Sequence, residues 1–279
     1  MKKTVKTVHN FIVFALTLVL VVLRSVQIFL YTDSFGLIVK GAEGTIALFY
    51  AAAVLLFAEI MIFFGKKRVA DVQKKASGLF DEKSRLLFTA SSLAGISMFC
   101  DFIFRIIISY NYISGVLYAK MNYFIPLCIS AAFSLFCSFY FIALGISFKS
   151  DKYILRDFKY LHIIPLLWAV SVLLTCLTEN VDAVYGEEKL LHYIVLVLAI
   201  VFLVLFIISS ENETYIVPLY TFGIAFFVFA VLISVPRIIA FIGGADFNYT
   251  DFSSVPYLFT GIFALSVSKV LSGQKKKDS

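Results

Sequence analysis

The sequence predicts an all-α, polytopic integral membrane helix bundle of about eight transmembrane helices, with both termini on the cytoplasmic side. Three observations carry this. Hydrophobic residues make up 61% of the 279-residue chain at a mean hydropathy of +0.95, which leaves too little polar surface to coat a water-soluble globule. Apolar stretches long enough to cross roughly 30 Å of hydrocarbon recur along nearly the whole chain. Lysine and arginine concentrate in alternate connections between those stretches, as the positive-inside rule requires.

The predicted spans run approximately Phe11 to Tyr31, Thr45 to Gly65, Leu86 to Tyr110, Phe124 to Phe148, Leu161 to Thr178, Leu190 to Ser209, Ile216 to Ile242 and Val255 to Leu271. Each is too long and too continuously apolar for a barrel strand, and a lipid-embedded backbone must satisfy its own amides, so each is read as a helix. The first span follows Lys2, Lys3 and Lys6 like a signal peptide. Its apolar run continues past Arg24 to Tyr31 with no small-residue cleavage site, which makes it a retained helix and places the mature start near Met1. With so little chain between spans, the whole of 1–279 reads as a single membrane domain.

Orientation follows from the short connections. With the N-terminus inside, 17 Lys and Arg fall in cytoplasmic segments, seven of them between Lys66 and Arg85, against Lys40, Lys120 and Lys189 outside. The inner face is thus positive and the outer face negative, a distribution that attracts the anionic lipids of a cytoplasmic leaflet and gives no reason to invoke nucleic acid. Short loops without a soluble domain suggest a bacterial inner membrane, that is, a multi-pass plasma-membrane location.

Enzyme and cofactor motifs are not found. No phosphate loop, His-Glu-x-x-His or Gly-x-Ser-x-Gly occurs. His9, His162 and His192 are dispersed, and Cys100, Cys128, Cys137 and Cys176 lie within spans without ligand spacing, so neither a metal nor a cofactor is expected and the cysteines read as small hydrophobes packed between helices. The carboxylates Glu179, Asp182, Glu187 and Glu188 read as a solvated outer loop, and the Asn248 glycosylation sequon as chance.

Charges inside the spans are the informative feature, because each costs at least ~2.5 to 3.5 kcal/mol near the bilayer centre unless paired, hydrated or snorkelling. Arg24, Asp101, Arg105 and Arg237 lie at similar predicted depths in the outer half, while Glu59 lies in the inner half of the second span with Lys269 as its possible partner. Ser97, Asp101, Arg105 and Ser109 recur every fourth residue, a polar stripe on one helix face in which Asp101 and Arg105 can pair. Thr17, Arg24, Gln27 and Tyr31 on the first span, and Gly223, Ala230, Ser234 and Arg237 on the seventh, likewise share a side. Ser130, Ser134 and Ser138 form a small-residue stripe suited to close helix packing, and Pro236 breaks the backbone ladder beside Arg237.

From these residues the expected function is the binding or transport of a small anionic or amphipathic molecule through an outward-facing cavity, with Arg24, Arg105 and Arg237 as anion contacts and Asp101 as their organiser. Glu59 is the candidate for proton coupling. A structural alternative has Arg105 and Arg237 snorkelling to headgroups while Arg24 pairs with Asp101. A functional alternative is a non-transporting membrane partner or sensor acting through the basic Lys66 to Arg85 loop. Short matches such as Arg105-Ile106-Ile107 with Arg237-Ile238-Ile239 raise the idea of a parallel duplication of 1–160 in 161–279.

Overall fold

Each predicted span is a helix in the computed structural model, which describes residues 2–31, 43–66, 84–114, 121–150, 159–178, 186–209, 213–243 and 254–273. The helices are α1 (Lys2–Tyr31), α2 (Glu43–Lys66), α3 (Arg85–Ile113), α4 (Met121–Lys149), α5 (Ile163–Thr178), α6 (Gly186–Ser209), α7 (Ile216–Ile242) and α8 (Ser254–Gly273), with short 3-10 turns leading into α5 and α7. All eight contain a stretch long and apolar enough to cross a membrane. Apart from the run-in of α1, their bounds lie within a few residues of those read from hydropathy, because the length of a span is dictated by the bilayer and its composition by the solvent. Most of the basic Lys66 to Arg85 run, the Asn248 sequon and the C-terminal lysines lie outside the described residues.

Six helices close on one another. Helix α3 packs on α4, α4 on α5, α5 on α6, α6 on α7 and α7 on α8, and the circle is completed by α8 against α3. Helices α1 and α2 pair with each other and lean on the outside of α7. That position is written in the burial: 72% of the α7 span is enclosed, against 33% for α1 and 28% for α2, whose remaining apolar surface faces outward as lipid-exposed helices require.

Glycine allows the tightest crossings. A methyl group on Gly95 of α3 would sit 3.0 Å from the Ser138 carbonyl of α4, and one on Gly261 of α8 would sit 2.9 Å from the Ala230 side chain of α7. Small residues at facing positions bring backbones together where no hydrophobic effect drives association.

The ring interior is graded along its length. Toward the end that carries the basic connections it is aromatic: Phe202 stacks on Phe206 and Phe226 with centroids 6.1 and 6.0 Å apart, and Phe263 meets Phe141 and Phe206 edge-on at 5.4 and 5.6 Å. Beneath them Tyr140 is hydrogen-bonded to Nδ1 of the buried His162 at 2.6 Å. Toward the opposite end the interior becomes polar.

Candidate functional site

The polar layer begins with the stripe on α3. Ser97, Asp101, Arg105 and Ser109 are all buried, so the face that repeats every fourth residue points into the protein. Arg105 donates from Nε to Asp101 Oδ2 at 2.7 Å and from Nη1 to Ser130 Oγ of α4 at 2.8 Å. Ser134 Oγ, one turn along α4, also donates to Asp101 Oδ2 at 2.5 Å. The serine stripe of α4 thus serves two ends, small enough to let α3 approach and polar enough to solvate an ion pair that lipid cannot.

A guanidinium held this way has a fixed plane. Two of its nitrogens are committed, and the third, Nη2, makes no hydrogen bond among the described residues. Thr175 of α5 extends the network, with its Oγ1 3.4 Å from Ser130 Oγ.

Arg237 of α7 is 5% exposed, as is Arg105. Neither side chain reaches the surface, so the snorkelling arrangement is not adopted. Both lie within electrostatic reach of Tyr257, together with Asp101 and Cys176. Tyr257 stands in the first turn of α8, where Ser234 Oγ of α7 donates to the Ser254 carbonyl at 2.6 Å. That bond sets the start of α8 eight residues, about 12 Å, below the end of α7 at 1.5 Å per residue.

Around Tyr257 the remaining helices contribute rings. The indole of Trp168 on α5 lies 6.2 Å from it, and the imidazole of His192 on α6 lies 5.8 Å from it, centroid to centroid. Trp168 is 1% exposed and Tyr257 is fully enclosed, yet Trp168 Nε1 and the Tyr257 hydroxyl have no hydrogen-bond partner among the described residues. Such groups are rare in folded proteins, since an unsatisfied buried donor costs about 1 to 3 kcal/mol. Every helix of the ring therefore brings a polar side chain to this layer: Arg105, Ser130, Trp168, His192, Arg237 and Tyr257.

Arg24 is placed differently. It is buried on α1, outside the ring, donates from Nη1 to Gln27 Oε1 at 3.1 Å, and lies 5.6 Å from the centre of the Phe49 ring of α2. Asp101 takes its hydrogen bonds from Arg105 and Ser134, so the pairing of Asp101 with Arg24 is not formed. The common depth also needs correction for Asp101. Because α3 runs on to Ile113, Asp101 lies about 18 Å from its end, against about 12 Å for Arg105 and about 7.5 Å for Arg237 from the ends of their helices. Glu59 is half-buried on α2, and Lys269 is exposed on α8. Among the cysteines Cys137 is buried and Cys176 half-buried, whereas Cys100 and Cys128 are exposed, Cys128 with its Sγ 3.9 Å from Ser109 Oγ of α3.

Comparison with protein-family models, with curated proteins and with solved structures finds no match. The site therefore stands on its own geometry.

Sequence reasoning missed Trp168, His192 and Tyr257. One signal was available: the chain's single tryptophan lies in mid-span, ten residues before the end of α5, although tryptophan in membrane proteins favours the interfaces. For His192 and Tyr257 no sequence signal existed, since each becomes informative only beside the other.

Proposed function

We propose that this multi-pass membrane protein binds, and carries across or presents within the membrane, a small anionic molecule taken up from the end opposite the basic connections. The supporting observation is the convergence of polar side chains from all six ring helices on one layer around Tyr257. Burying two guanidiniums in a low-dielectric interior is expensive, and a ligand oxygen that accepts from a preoriented guanidinium repays that cost in a way lipid cannot. Asp101 and Ser130 fix the plane of Arg105 and leave Nη2 to meet the ligand. Arg237 brings a second cation to the layer, which raises the local concentration of anions.

The lone tryptophan supplies the test. Trp168 fluorescence of the full chain in nanodiscs is followed during titration with chloride, phosphate, acetate and glutamate. At least one of these anions should change the emission saturably, and Arg105→Gln should weaken that response about tenfold or more in protein that keeps its helicity, with a lowered melting temperature because Asp101 loses its partner. A flat response to every anion, or an Arg105→Gln variant that responds like the parent, overturns the reading.

A further inference from the structure

The phenol ring of Tyr257 stands in the middle of the polar layer, and its position says how that layer is closed; this step rests on the anion-binding reading above. Helix α8 packs chiefly on α7 and α3. From α8 the Tyr257 side chain reaches across the ring to Trp168 of α5, 6.2 Å away, and to His192 of α6, 5.8 Å away, centroid to centroid. Arg105 and Asp101 of α3 and Arg237 of α7 lie within electrostatic reach of its hydroxyl. One residue of α8 thus has neighbours on four other helices of the ring and is fully enclosed by them.

Three features mark this arrangement as one the protein can leave. The volume that the polar side chains surround is filled by the Tyr257 ring itself, and both its hydroxyl and Trp168 Nε1 are sealed from solvent. Neither has a hydrogen-bond partner among the described residues, so the closed layer carries a cost that hydration of the hydroxyl would remove. Finally, Tyr257 is the fourth residue of α8. No full helical turn stands before it to block the side-chain rotamers that a helix interior forbids.

We propose that Tyr257 is the gate of the anion site: its side chain plugs the closed ring and swings toward the end opposite the basic connections to admit the anion, exchanging a sealed hydroxyl for a hydrated one. A phenol ring is larger than chloride or acetate, so its departure leaves room for either beside Arg105. Tyr257 therefore acts by occupying the site, and the guanidiniums by holding what replaces it.

The experiment uses the full chain in nanodiscs, with Trp168 emission titrated with chloride, phosphate, acetate and glutamate and the melting temperature read without added anion. Tyr257→Ala removes the plug, so a larger fraction of rings is open, and the anion that the parent binds should bind about tenfold or more tightly, at a melting temperature lowered by the cavity left behind. Tyr257→Phe keeps the plug and removes the hydroxyl whose hydration favours opening, so it should weaken binding about tenfold while the melting temperature holds or rises. Where Tyr257→Ala loses helicity, Tyr257→Leu takes its place with the same expected direction. A hydroxyl that served only as an anion contact would weaken binding in both variants, and a ring that served only as core packing would leave Tyr257→Phe like the parent. Either pattern, with a parent that responds to anions, overturns the gate while the anion-binding reading stands. If the parent responds to none of the four anions, both fall.

Discussion

Asp101 and Arg105 show how a membrane interior treats a residue the sequence marks as costly. Their i, i+4 spacing predicted the pair, and the structure adds what spacing alone does not reveal, namely Ser130 and Ser134 closing around it from α4. Removing one partner of a buried pair strands the other charge at a cost of about 3 to 5 kcal/mol. Removing a neutral hydroxyl within a membrane costs only about 0.6 kcal/mol on average. Asp101→Ala is therefore expected to lower the unfolding free energy in detergent several times more than Ser134→Ala, and equal losses would show that the pair is not the element that needs support. Glu59 poses a different question at this scale, because α2 lies outside the ring. A proton-coupling role predicts that Glu59→Gln folds normally and flattens the pH dependence of anion binding by Trp168 fluorescence. Unchanged pH dependence assigns Glu59 to packing.

At the scale of helices, the contact between α3 and α4 was only half legible. The Ser130, Ser134 and Ser138 stripe announced a close approach, but periodicity within one helix cannot name the helix that approaches. Gly95 and Gly145 identify it, one from each side of the crossing, and they differ in what surrounds them. A methyl on Gly95 meets backbone, the Ser138 carbonyl at 3.0 Å and the Ile142 amide at 3.2 Å, whereas one on Gly145 meets the hydroxyls of Ser91 and Ser92 at 2.9 and 3.0 Å. Hydroxyls can rotate away and a helix backbone cannot. Gly95→Ala is expected to destabilise by about 1 to 3 kcal/mol through overpacking, exceeding the roughly 1 kcal/mol that alanine gains in helix propensity. Gly145→Ala should fall well below that loss. Thermal unfolding in detergent ranks the two, and a Gly145→Ala loss at least as large as that of Gly95→Ala would mean the helices are spaced by something other than these contacts.

For the whole molecule, the eight spans were readable because hydropathy is a local property imposed by the bilayer, with each stretch declaring itself independently. The closure of α8 on α3 was not readable, since contacts between helices distant in sequence leave no mark on hydropathy, and the site depends on that closure. It brings Tyr257 to Arg105, while Arg24, at a matching depth, stays outside the ring with Gln27 and Phe49. Orientation is the remaining whole-molecule property, and it decides toward which aqueous compartment the polar layer lies. The asymmetry of 17 basic residues against three predicts the basic connections in the cytoplasm. Eight helices in sequence then return the C-terminus to the side of the N-terminus, and the polar layer lies toward the other. Reporter fusions at Lys75, Lys152 and Ser279 should accordingly report cytoplasm, and fusions at Gly41, Gly186 and Asp246 the opposite compartment. The connection near Asn212 is the most demanding position, because it carries no basic residue and is held inside only by the charges on either side of it along the chain. A fusion there that reports the outer compartment would show that α6 and α7 do not both cross, and an external terminus would reverse the direction of anion uptake proposed for the ring.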